Sequence, residues 1–267
     1  MPPFSPLAFA ALTLELSVAS MSAQDLLVRH ELSVDGVKRE ALVYTPASAT
    51  ARPAPLVFGW HGHGGTMRNA ARSFRIHEIW PEAIVVYPQG LNTPGRLTDP
   101  EGKKAGWQGR LGDQGDRDLK FFDAIWQKLH AGFKVDDNRV YSTGHSNGGG
   151  FTYLLWAARG DKLTAIAPSA SAGRNKGESN PLPVLHLAGR NDPLVKFAWQ
   201  EAMIRTLREL NKTSEGKAWD LDERCTIYPS AIGAPLVTAI HDGGHEYPKG
   251  APELIVKFFK AHSKAKG

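Results

Sequence analysis

Sulfur is nearly absent from this chain: 267 residues hold one cysteine, Cys225. No intrachain disulfide can form, and cysteine usage does not identify a compartment. Basic residues are missing from the start of the chain, where no Lys or Arg precedes Arg29. Residues 1–23 therefore lack the basic n-region of an ordinary export signal, and Glu15 interrupts their apolar run at 7–16. They are otherwise poor in charge and end in small residues, Ser17-Val18-Ala19-Ser20 and Ser22-Ala23, where a signal peptidase could cut. We read 1–23 as a signal peptide or disordered leader, and the protein as secreted or periplasmic; a misassigned start codon is the competing reading. The stretch is too short and too interrupted to span a membrane. A large excess of one charge is also lacking. The formal net charge is +5, and the basic residues are scattered except for Lys257, Lys260, Lys264 and Lys266. That tail reads as a solvated helix end, without the interleaved aromatics or binding fold that a nucleic-acid partner requires.

What is present suffices for one large α/β domain over residues 24–267, since 42% of the residues are hydrophobic. Residues 26–34 and 37–44 read as strands joined by the hairpin dipeptide Asp35-Gly36. Short apolar runs at 55–60, 83–87, 139–143, 163–167, 183–187 and 235–240 have the character of strands buried on both faces, as in a mostly parallel sheet. Residues 118–130 carry Leu119, Phe122, Ile125, Trp126 and Leu129 on one helical stripe, residues 151–158 are apolar at helical spacing, and 252–262 form a last amphipathic helix.

The motif that organises the chain is Gly144-His145-Ser146-Asn147-Gly148, set between a strand and a helix. This G-x-S-x-G pattern is a nucleophile elbow, a sharp turn that lifts the serine hydroxyl above the sheet. Gly144 and Gly148 remove side chains that would collide where strand and helix cross. A serine needs a base and the base needs an orienting acid, in the chain order acid then histidine for this elbow. Asp192 follows a strand within Gly189-Arg190-Asn191-Asp192-Pro193, although an Asp before Pro also simply forms turns. His245 sits behind Gly243-Gly244 in the loop after the last strand, whereas His241 and His262 read as packing or surface residues. Asp161, Asp220 and Asp222 read as lying in polar connectors, and Asp242 stands too near His245 along the chain.

The loop His61-Gly62-His63-Gly64-Gly65 leaves a central strand with bare backbone, as the second half of an oxyanion hole requires. Its imidazoles allow a rival reading as a metal-dependent hydrolase, but no third protein ligand continues the motif. No cofactor is called for. A long polar loop, 88–115, overhangs the same end of the sheet; Trp107 within it is a candidate to stack on an aromatic or sugar part of a substrate, with packing as the alternative. Tyr247 is a candidate pocket wall, against a purely structural aromatic. Residues 168–182 leave no room for a large lid, so the site is expected to be open to an ester substrate that is bulky or attached to a polymer.

Together, the elbow sequence from Arg139, the His61–Gly65 loop, Gly189-Arg-Asn-Asp192 and Gly243-Gly-His245-Glu-Tyr-Pro248 resemble the polyhydroxybutyrate depolymerase and feruloyl esterase family of α/β-hydrolases, which is also similar to carbohydrate acetyl-esterases. The resemblance runs from about residue 35 to the end. It implies the α/β-hydrolase fold and a serine esterase with Ser146, Asp192 and His245 as triad. It also implies the backbone N–H groups of His63 and Asn147 as oxyanion hole. Tyr247 stands where many members have Trp and His63 where many have Cys, and the disulfides of some secreted relatives cannot form here. An acyltransferase, a peptidase or a non-catalytic scaffold are the alternatives on the same framework.

Overall fold

A computed structural model describes residues 26–174 and 180–264. The 1–23 leader lies outside the described residues, and no described helix is long and apolar enough to cross a membrane. The chain opens with a hairpin, β1 (Val28–Val34) and β2 (Val37–Tyr44). Both residues of its turn have positive φ, 50° at Asp35 and 77° at Gly36, which is the backbone twist that lets two right-twisted strands reverse in two residues. Then follow β3 (Ala54–Trp60), α1 (Met67–Phe74), α2 (Ile76–Ile79), β4 (Ile84–Pro88), the short pair β5 (Leu91–Asn92) and β6 (Ala105–Gly106), and α3 (Arg117–Gly132). The second half runs β7 (Val135–His145), α4 (Asn147–Arg159), β8 (Ala165–Ser169), β9 (Val184–Gly189), α5 (Phe197–Leu210), β10 (Lys217–Trp219), β11 (Asp222–Tyr228), β12 (Leu236–His241) and α6 (Ala251–Lys260).

The main sheet has ten strands in the order β1-β2-β4-β3-β7-β8-β9-β12-β11-β10. Strands β4 through β12 in that row are parallel, while β1–β2 and β11–β10 pair antiparallel at the two edges. This is the α/β-hydrolase fold. Side chains alternate across the pleat and divide the interior into two cores. Phe58, Val86, Val140 and Ile166 face α3, α4 and α5, where Phe122, Phe151 and Leu207 meet them. Val57, Val85, Tyr141 and Ala167 face α1, α2 and α6, against Phe74, Ile76 and Phe258. All seven residues of β3 are buried, in keeping with a strand covered on both sides.

Three regions depart from the reading of the sequence. Helices α1 and α2 occupy a stretch given no element, although Thr66 caps α1 by accepting from the Asn69 N–H at 3.1 Å and Met67, Ala70, Ala71 and Phe74 form its buried stripe. Helix α5 likewise lies where no element is expected; it buries Gln200, Met203, Ile204 and Leu207 at the same spacing. Asp222 lies at the start of strand β11 rather than in a connector. The edge strands β10 and β11 are half exposed and charged, so they lack the apolar run that marks the central strands.

Candidate active site

Strand β7 runs directly into α4 through Ser146, whose φ of 55° and ψ of −118° put a non-glycine residue in strained backbone. The turn is locked because the Ser146 N–H donates to the Ser169 carbonyl and its own carbonyl accepts from the Gly150 N–H, each at 2.9 Å. The flanking glycines are sterically required. A methyl group at Gly144 would come within 2.4 Å of the Gly148 carbonyl, and one at Gly148 within 2.1 Å of the Trp60 carbonyl oxygen. The second clearance is against β3, a neighbour that the motif alone does not reveal.

On one side of Ser146, the loops after β9 and β12 converge. The Ser146 hydroxyl lies 2.7 Å from His245 Nε2, and His245 Nδ1 lies 2.8 Å from Asp192 Oδ2. A carboxylate can only accept, so Nδ1 carries the ring proton and Nε2 is left to accept from the serine. The Asp192 carboxylate is fully buried, and its other oxygen accepts from the Leu194 and Val195 N–H groups at 2.9 and 2.8 Å. The Asp-Pro turn and the support of the imidazole are thus the work of the same side chain. Behind His245 stands His145. Its Nε2 donates to the His245 carbonyl at 2.8 Å, and burial lowers its pKa to about 4, so the ring is neutral and holds the His245 loop as a hydrogen-bond donor. Nothing in the motif singles out His145, because its partner lies a hundred residues away along the chain.

On the other side lies the His61–Gly65 loop with residues 88–115. A methyl group at Gly62 would sit 3.7 Å from Ser146 Cβ, so this loop runs beside the hydroxyl. Neither the His63 nor the Asn147 N–H has a hydrogen-bond partner among the described residues. The Asn147 side chain clamps the long loop, accepting from the Trp107 N–H at 2.7 Å and donating to its carbonyl at 3.0 Å. Next along, Asp118 accepts from the Gln108 N–H at 2.8 Å and pairs with buried Arg39 at 2.7 Å. His63 Nε2 bonds Asp99 at 3.0 Å, a contact that lowers the Asp99 pKa. His61 accepts from the Gly90 N–H through Nε2 at 2.9 Å, and burial lowers its pKa to about 4. With Nδ1 against the Gly62 carbonyl at 2.8 Å, both His61 nitrogens are committed within the protein, which argues against the metal reading of this loop.

Between the two sides opens a cleft of about 720 Å³ that reaches Ser146, Asn147, His63 and His245. The two residues expected to contact substrate are placed differently. Trp107 borders the cleft but is only 1% exposed; its indole packs against Trp60 and Phe151 and donates to the His61 carbonyl at 2.9 Å, so no ring face is free for stacking. Tyr247 is not on the cleft wall. Its ring meets Phe74 at 4.8 Å and His145 edge-on at 5.7 Å, which makes it a support beneath the base loop. The exposed aromatic on the wall is instead Trp199, 44% accessible, with Leu194 and Leu97 nearby. An aromatic on the solvent side of the missed helix α5 was the available signal.

No protein-family model matches the chain. A probable feruloyl esterase C from Aspergillus terreus is 31% identical over 230 residues, covering 76% of this chain and 77% of the relative. The feruloyl esterase C of Emericella nidulans is 26% identical over 234 residues, 79% of each chain. Among solved structures, a ferulic acid esterase superposes with a TM-score of 0.63 at 15% identity, covering 88% of this chain and 97% of that one. The acetyl xylan esterase of Aspergillus awamori gives 0.60 at 13% identity, over 87% and 99%. At such identities the two structures bear on the fold.

Proposed function

Since the chain belongs to the feruloyl esterase family and is a serine esterase that hydrolyses carboxylic esters, we propose that Ser146, His245 and Asp192 are its nucleophile, general base and orienting acid. The observation that carries this reading is the unbroken relay from Ser146 Oγ to His245 Nε2 at 2.7 Å and from Nδ1 to Asp192 at 2.8 Å. His245 takes the serine proton as Oγ attacks the ester carbonyl, and Asp192 holds the imidazole in the tautomer that can accept it. The amides of His63 and Asn147 receive the charge that develops on the carbonyl oxygen, each such donor contributing about 3 kcal/mol in a site of this kind. His245 then protonates the departing alcohol, and water, deprotonated by the same nitrogen, releases the acid from Ser146.

The substrates proposed are feruloyl or acetyl esters of carbohydrate, or hydroxyalkanoate esters. The family and the open, partly apolar cleft support them. Export is part of the same proposal and rests on the apolar run near the N-terminus. Treatment with an aryl phosphonate followed by peptide mass spectrometry tests the nucleophile. The expected adduct is on Ser146, with hydrolysis of a hydroxycinnamate ester lost in proportion; full labelling with activity intact defeats the assignment.

A further inference from the structure

The wall of the cleft is chemically divided. On one part stand Leu97, Leu194 and Trp199, which are 48%, 38% and 44% exposed. On another stand Arg96 and Arg174, with Arg110 close enough to repel Arg174. Among the described residues, none of these three guanidinium groups has a carboxylate within 4.0 Å or a hydrogen-bond acceptor. Other arginines of the fold are held: Arg39 by Asp118, Arg139 by Asp136, Arg159 by Asp123. Asp113 is the one carboxylate on the described cleft wall; its Oδ2 accepts from the Gly109 N–H at 3.3 Å, and its single charge offsets only part of that of the three arginines. The Arg174 guanidinium is set against the loop backbone, since a methyl group at Gly109 would come within 2.9 Å of Nη1. Desolvation first, then Arg96 and Arg110, hold its pKa below the ordinary arginine value, with Asp113 opposing. Like charges gathered at a partly desolvated wall repel one another until an anion joins them, and the planar fork of arginine fits a carboxylate in bidentate fashion.

We propose that Arg96 and Arg174 form a subsite for a free carboxylate carried by the ester substrate, so that the enzyme favours anionic esters whose apolar body lies against Trp199 and Leu194. The proposal rests on Ser146 being the nucleophile of this cleft. The carboxylate can belong to the acyl or to the alcohol half, and two pairs of probes separate these. The first pair is mono-4-nitrophenyl glutarate against 4-nitrophenyl methyl glutarate, followed as nitrophenolate; the second is 3-carboxyphenyl acetate against its methyl ester. The quantity read is the ratio of kcat/KM, anionic over neutral. In the pair that matches the subsite this ratio falls about tenfold in Arg174→Gln, the lower end of what a charge-assisted hydrogen bond contributes, and further when Arg96→Gln is added. In the unmodified enzyme it falls as salt rises from about 0.01 M to about 1 M, because the screening length drops from about 30 Å to about 3 Å. A ratio that stays within about twofold in both pairs, through both substitutions and the salt series, overturns the subsite. Calorimetric binding of the same probes to Ser146→Ala reads the cleft without chemistry. Binding that favours the anion, beside a Ser146→Ala variant that still hydrolyses esters, would remove the nucleophile and leave the subsite; hydrolysis lost on substitution with no charge preference would do the reverse.

Discussion

The two sides of Ser146 are held in opposite ways. The base side is a series: one hydrogen bond joins serine to His245, and one joins His245 to Asp192. The loop side is a mesh. Asn147, His61, Asp99 and Asp118 each tie residues 88–115 or the His61–Gly65 loop through separate bonds. In a series every member is indispensable, while a mesh shares the loss of any one strand, so equal numbers of hydrogen bonds predict unequal sensitivity.

The largest test of that contrast is Ser146→Ala, which should lower kcat on an aryl ester by about 10⁵-fold. Asp192→Asn keeps the size of the side chain but offers His245 a donor where it needs an acceptor. It should cost about 10³- to 10⁴-fold in kcat with little change in KM. Acid should strike both sides together, since each rests on a buried imidazole, His145 and His61, with a pKa of about 4. The folded-state value lies below that of a free histidine, so the unfolded chain binds more protons between the two. The stability is complete above about pH 6.5 and is lost as pH falls towards 4, by on the order of 3 kcal/mol for each ring. Urea midpoints measured from neutral pH downward should fall over that window, and His145→Gln should flatten the slope; a midpoint independent of pH contradicts the account. The smallest effect is expected in the mesh. Asn147→Ala keeps the backbone amide but frees Trp107, and should lower kcat/KM about tenfold and stability by about 1–2 kcal/mol. Were it as damaging as Asp192→Asn, the distinction between series and mesh would collapse.

What could be read from the sequence follows the same division. The elbow was legible because strand, turn and helix are contiguous, and the glycines answer to contacts within a few residues. The central strands announced themselves by short apolar runs, since both faces are buried. Chain order and loops at strand ends point to Asp192 and His245, which is topological information. For Trp107 and Tyr247 the packing alternative is the one the fold favours, and the sequence leaves both open because an aromatic in a glycine-rich loop looks the same whether it faces a cleft or a core; for Trp107 the meeting of β3, α4 and the long loop decides, for Tyr247 the contact with Phe74 and His145. Helices α1 and α5 are different. Their stripes and the Thr66 cap are written in the sequence; at eight residues the periodic signal of α1 is weak, whereas that of α5, fourteen residues long, is legible.

The backbone at residue 146 sets robustness against chemistry at a single point. A glycine there would relax the φ of 55° without a Cβ to crowd, and the protein so made, which the proposed triad predicts to be inert, should be more stable by roughly 1 kcal/mol. On the proposed triad, the esterase therefore stands one substitution uphill of a sturdier, silent scaffold, and its hydroxyl sits against the preference of the backbone that carries it.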